Sequence, residues 1–97
     1  MLVKIHKQQG KSIIAICDKE LIGQNYEENN LQLDLTSDFY KGEEKTVEHI
    51  ADVLRNCDII NLVGKKSIQL GLKEGILTDD EIKTIQGVPH AQVVLID

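Results

Sequence analysis

The first signal along the chain is an alternation. In Met1–His6, Val3 and Ile5 face one way and Lys4 and His6 the other, as in a half-buried strand. Lys7–Lys11 is polar, with Gly10 free to turn, and Ser12–Cys17 is nearly continuously apolar, so a hairpin into a central strand is predicted. Asp18 opens a short turn that ends at Gly23, and Asn25–Asn30 reads as a loop. Leu31–Leu35 alternates again and predicts a third strand. After the irregular Ser37–Glu44, Thr46 caps a helix to about Asn56, whose Val47, Ile50, Ala51 and Leu54 share one stripe. Asp58–Val63 is a fourth strand with one polar residue, Asn61, and Gly64 ends it. Lys65–Glu74 predicts a second helix closed by Gly75, with Gly71 inside it costing about 1 kcal/mol against alanine. Thr78–Glu81 carries a capping-box pattern and predicts a third, short helix. Gly87–His90 reads as a turn and Ala91–Ile96 as the last strand.

The resulting order, β-β-β-α-β-α-α-β, predicts an α+β fold. It is a two-layer sandwich with a mixed sheet of about five strands and helices on one face, forming a single globular domain over residues 1–97. Composition agrees: 13 Ile, 11 Leu and 7 Val favour strands, while only Phe39, Tyr26 and Tyr40 are aromatic. No apolar run approaches the ~18 residues that cross a bilayer. The first 20 residues are charged and alternating rather than a signal peptide, so a cytoplasmic protein with two reduced thiols, Cys17 and Cys57, is expected.

Charge narrows the partner class. The net charge is -5, yet residues 1–19 carry four lysines and one acid. An acidic domain binds nucleic acid poorly without a basic face, so any phosphate site must be local. Val63-Gly64-Lys65-Lys66-Ser67 is a strand–glycine–helix junction that lacks the first glycine and the hydroxyl of a phosphate loop. Its helix start still offers free N–H groups beside Lys65 and Lys66. The plainer reading is a tight turn with solvated lysines.

Two further constellations stand out. His6, Cys17, Asp18 and His90 hold groups for metal or nucleophilic chemistry, but no His/Cys spacing matches a zinc motif, and a thiol on an apolar strand normally packs as a small hydrophobe. No metal or cofactor is therefore expected. In Val88-Pro89-His90-Ala91-Gln92, Pro89 stiffens the approach to His90, and Gln92 projects on the same side. If the last strand runs antiparallel to Asp58–Val63, the Gly64 and Pro89-His90 bends meet and His90 lies near Asn61. These polar groups then serve either a structural network or a ligand site.

Ala15–Asp18, Glu20–Gly23, Phe39–Gly42, Asn61–Gly64 and Val88–Gln92 together make the chain resemble, over its whole length, an archaeal domain-of-unknown-function family, number 424. The resemblance implies a small cytosolic archaeal protein with a two-layer fold and an association with RNA and translation. It lends no catalytic role to any residue. The expected function is a non-catalytic binding or accessory protein, with RNA or a ribosomal component as partner. Lys4, His6, Lys7, Lys11, Asn61, Gly64, Lys65, Lys66, Ser67, His90 and Gln92 form its expected binding surface. The alternative is a small enzyme or ligand-binding protein around His90, Asn61, Cys17 and Asp18. A monomer or weak homodimer is expected, with a free sheet edge as the dimer contact.

Overall fold

The computed structural model describes residues 1–95. In chain order the elements are β1 (Leu2–Gln8), β2 (Lys11–Cys17), β3 (Asn25–Glu28), β4 (Leu31–Asp34), β5 (Glu43–Glu44), α1 (Val47–Leu54), β6 (Ile59–Val63), α2 (Lys65–Lys73), β7 (Lys83–Ile85) and β8 (Val88–Val94). Single 3-10 turns occupy Lys19–Leu21, Asp38–Tyr40 and Asp79–Glu81. Six strands form one mixed sheet in the order β5-β1-β2-β6-β8-β7, and β3 and β4 form a separate two-stranded ribbon.

The β1–β2 hairpin forms as its alternation requires, with Leu2 opposite Cys17 and Gln8 opposite Lys11. Gln9 and Gly10 both take positive φ, the twist a two-residue connection needs. Only β2 and β6 run parallel, with Ile13 opposite Ile59 and Cys17 opposite Val63. β8 then lies antiparallel to β6, pairing Val63 with His90 and Asn61 with Gln92.

The sheet has a helical face and a helix-free face. Ile14, Ile16, Ile60 and Leu62 meet Ile50 and Leu54 of α1 and Ile68 of α2 in the larger core. A smaller core on the opposite face joins Cys17, Val63, Ile85 and Val88 to Leu33 and Leu35. Thr46 caps α1 as expected, its hydroxyl accepting from His49 N at 3.2 Å. Gly71 is explained by packing, since a Cβ there would collide with the buried Leu77 side chain.

The α+β, two-layer architecture is as expected, its mixed sheet of six strands gaining Glu43–Glu44 and Lys83–Ile85 as short edges. Three expectations need correction. Asn25–Glu28, read as a loop, is β3; Leu31–Asp34 is a strand but pairs with β3 outside the main sheet. Tyr26 and Leu33 are its one inward pair, so the ribbon is a flap over the helix-free face. The third helix is one 3-10 turn, because Lys83–Ile85, which follows, is taken up as a strand by pairing with β8. Its Glu81 still accepts from Thr78 N at 2.9 Å. The turn before the last strand is Gln86-Gly87, and Val88–His90 belong to β8, which ends at Val94; Ile96 lies outside the described residues.

Candidate functional site

Strand register sets which side chains share the helix-free face. Directly paired residues point the same way. Lys4, Ala15, Asn61 and Gln92 therefore form one row across β1, β2, β6 and β8. The neighbouring row runs Leu2, Cys17, Val63, His90 and Lys83, crossing onto β7. His6, Ile13, Ile59 and Val94 form the third. The ribbon and Tyr40 cover the Cys17–Val63 part, and the Asp38–Tyr40 turn lies against β1 and β2. Ala15 on this face is fully buried as well, and Phe39 stacks on His6, whereas the Asn61–Gln92 and Ile59–Val94 part is open among the described residues. Its Asn61 and His90 are half-buried, Gln92 is exposed and Val94 is 63% exposed.

Between the covered and open parts lies a recess of about 350 Å³, lined by Tyr40, Asn61, Glu81, Lys83, His90 and Gln92. His90 Nδ1 is buried there with no hydrogen-bond partner. A polar atom in that condition costs about 1–3 kcal/mol and calls for a partner. Beside the recess, His6 stacks on Phe39 with ring centroids 4.4 Å apart, and its Nε2 is 2.9 Å from the Phe39 carbonyl oxygen. Lys4 Nζ donates to the Asp38 carbonyl at 2.8 Å. Burial, and then the neighbouring Cys17, push the Tyr40 hydroxyl up to about 12, so it lines the wall as a neutral phenol.

The Gly64 bend does meet Pro89-His90, which lie in the first residues of β8 rather than in a bend, at the end of the sheet where β2 and β6 finish. Gly64 N donates to the Pro89 carbonyl at 2.8 Å and Asp18 N to the Val63 carbonyl at 3.0 Å. Asp18 then turns back against the start of α2. Its Oδ2 accepts from Lys66 N at 3.0 Å, and its Oδ1 accepts from Ser67 N at 2.9 Å and Ser67 Oγ at 2.7 Å. Asp18 as a whole is 3% exposed. The helix start that the sequence offers to phosphate is thus filled by the chain's own Asp18 side chain. Lys65 and Lys66 remain exposed at this end, with Lys66 Nζ 3.8 Å from Glu20.

The expected surface is therefore divided. Asn61, His90 and Gln92 share one recess, with Lys4 and His6 beside it. Lys7 and Lys11 stand at the β1–β2 turn, at the far end of the sheet from Gly64. Five residues separate Ser12, paired with Lys7, from Cys17, which is roughly 17 Å of strand. Lys83 escapes the sequence reading, because nothing in a three-residue edge strand announces itself, and Glu81 is legible only as part of the Thr78–Glu81 capping box.

The enzyme set does not converge. Cys17 shares a face with His90, but Val63 stands between them and Cys17 has no exposed surface. Burial, followed by the charges of Asp18 and Glu20, pushes its thiol up to about 12. Cys57, buried in the core on the opposite face, is pushed up to about 11, mainly by burial. Neither is a nucleophile at neutral pH. Native protein is expected to leave both thiols unmodified by Ellman's reagent at pH 8 over minutes, and to titrate two thiols in denaturant. Rapid labelling of Cys17 in the native state would reopen the nucleophile reading. Among the described residues, no cluster of three or more His, Cys, Asp or Glu could hold a metal, and no helix is long and apolar enough to cross a membrane.

A family profile, DUF424, described as a protein of unknown function, matches residues 6–96. No curated protein matches the chain. The crystal structure of an uncharacterized conserved protein from Methanopyrus kandleri superposes with a TM-score of 0.79 at 23% identity, covering 99% of this chain and 93% of that one. At that identity the likeness establishes the shared fold.

Proposed function

We propose that this chain, which belongs to the DUF424 family, is a non-catalytic binding module of the archaeal cytoplasm that takes single-stranded RNA on its helix-free sheet face, as an accessory of the translation machinery. The observation that carries the reading is the paired Asn61 and Gln92 beside His90 and Lys83, with Lys4 in the same row beyond the buried Ala15, polar donors at sheet positions that an apolar layer would otherwise cover. Amide and imidazole groups read the edges of unstacked bases, and ammonium groups neutralise phosphates. Lys4, Lys83 and the exposed Lys65 and Lys66 supply the phosphate contacts around this face, and the stacked His6–Phe39 pair borders it. A net charge of -5 confines binding to this patch and selects short, specific contact over coating of any polyanion.

Fluorescence anisotropy with labelled single-stranded RNA tests the proposal. With three to four phosphate contacts, log affinity is expected to fall against log salt with a slope of about -2 to -3. Lys83→Ala should lower the slope by about 0.7. The double change Asn61→Ala with His90→Ala should weaken binding about tenfold and leave the slope unchanged. Absence of binding at low salt, or binding indifferent to salt, would remove the RNA reading. A second reading rests on the recess and the unpartnered His90 Nδ1: its volume of about 350 Å³ suits a small polar ligand instead. Ligand-induced stabilisation lost in His90→Ala, with no RNA binding, would favour that reading.

A further inference from the structure

We infer that the outer edge of β1 is a strand-addition site for an extended segment of another protein in which apolar and acidic residues alternate. The two-residue turn makes Gln8 and Lys11 a hydrogen-bonded pair. By alternation Leu2, Lys4, His6 and Gln8 direct their backbone groups to β2, while Val3, Ile5 and Lys7 direct theirs outward. β5 meets only Leu2 and Val3. Among the described residues no strand continues past it, so Ile5 and Lys7 offer two N–H and two C=O groups to an incoming chain.

The edge is also shaped for such a chain. Gly42 packs against the Val3 carbonyl, where a Cβ would collide, and this marks where the covered part stops. Beyond it, a groove of about 570 Å³ runs between the edge and α1, walled by Ile5, Val53, His49 and Lys45, where three lysines, Lys4, Lys41 and Lys45, outnumber the one acid, Glu43. Ile5 is 53% exposed on the helical side. An added strand places alternate side chains against Ile5 and Val53, where apolar residues fit, and the intervening ones beside Lys4.

Charge selects the occupant. Residues 1–17 hold three lysines and no acid, so a second copy paired edge to edge would set like charges face to face. An acidic segment meets complementary charge. Lys41 and Lys45 now pair with Asp38 at 3.6 Å and Glu43 at 3.0 Å. Both are exposed pairs of small energy and exchange readily for a partner's carboxylates.

The probe is a capped peptide of alternating valine and glutamate, followed by amide NMR on the full chain. Perturbations are expected along Ile5–Gln8, Gly42 and the His49–Val53 stretch, with exchange of the Ile5 and Lys7 amides slowed at least tenfold. N-methylation of the peptide at alternate residues, Lys45→Glu in the protein and Ile5→Pro in the protein should each weaken binding at least tenfold. The N-methyl control keeps the test decisive if Ile5→Pro fails to fold. Unchanged Ile5 and Lys7 amides, equal binding of a valine–lysine peptide, or native mass spectrometry showing a homodimer that Ile5→Pro abolishes would each overturn the inference.

Discussion

Replacement of Gly64 by alanine is expected to lower stability by about 4 kcal/mol, a large share of the 5–15 kcal/mol typical of a domain. Gly64 sits at φ +107 and ψ 158, a conformation essentially reserved for glycine. Adopting it with a side chain costs about 1–3 kcal/mol. The added Cβ would also collide with the Asp18 carboxyl and stand 2.7 Å from Asp18 Cβ. Asp18 cannot retreat without abandoning the donors of Lys66 and Ser67, and orphaning buried donors costs a further 1–3 kcal/mol or about that. If the backbone yields instead, the 2.8 Å bond from Gly64 N to the Pro89 carbonyl is lost and β8 is disturbed. Urea unfolding followed by circular dichroism should show the midpoint falling by about 2 M, taking a slope near 2 kcal/mol/M. A midpoint within about 0.3 M of the parent's, on the same slope, would mean that this corner is looser than its geometry implies.

Asp18→Ala is expected to cost about 3 kcal/mol, by removing the acceptor of two backbone N–H groups and a buried hydroxyl at once. Ser67 has no exposed surface, so water does not replace the lost oxygen cheaply. Asp18→Asn keeps the shape and one acceptor oxygen, and should recover roughly half the loss. The emptied helix start becomes an anion site. Inorganic phosphate should therefore raise the alanine variant's melting temperature and leave the parent's unchanged. Equal stability of parent and alanine variant would show that the cap contributes nothing. Equal response to phosphate would show that an anion binds elsewhere.

What could be read from the sequence depended on whether a residue's partners were near in the chain. The β1–β2 hairpin was legible because Val3, Ile5 and Gly10 encode alternation and turn within a few residues. The α1 cap at Thr46 and the nearness of His90 to Asn61 were legible for similar reasons, the second once antiparallel pairing was assumed. β3 was hidden because Asn25-Tyr26-Glu27-Glu28 buries one side chain only, so its strand character comes from pairing and not from pattern. β7 was hidden by length. Asp18 does open the local turn at Lys19–Leu21, but nothing nearby in sequence announces that its side chain accepts from donors 48 and 49 residues further on. Without that contact the Gly64 junction looks available to phosphate. The recess was half legible: Asn61, His90 and Gln92 were named, but Lys83 reaches it only through a strand that no local signal marks.

The single parallel contact of the sheet has a consequence during synthesis. β1 and β2 are complete when Cys17 has left the ribosome, and a hairpin closes in about 1–10 μs. The other side of β2, with Ile13 through Cys17 unsatisfied, must wait for Ile59–Val63. At about 5–20 residues per second, the intervening forty or so residues take a few seconds to emerge. For that interval the nascent chain presents a bare, strongly apolar strand edge, and removal of chaperones that shield nascent chains should lower this protein's yield more than its final stability suggests.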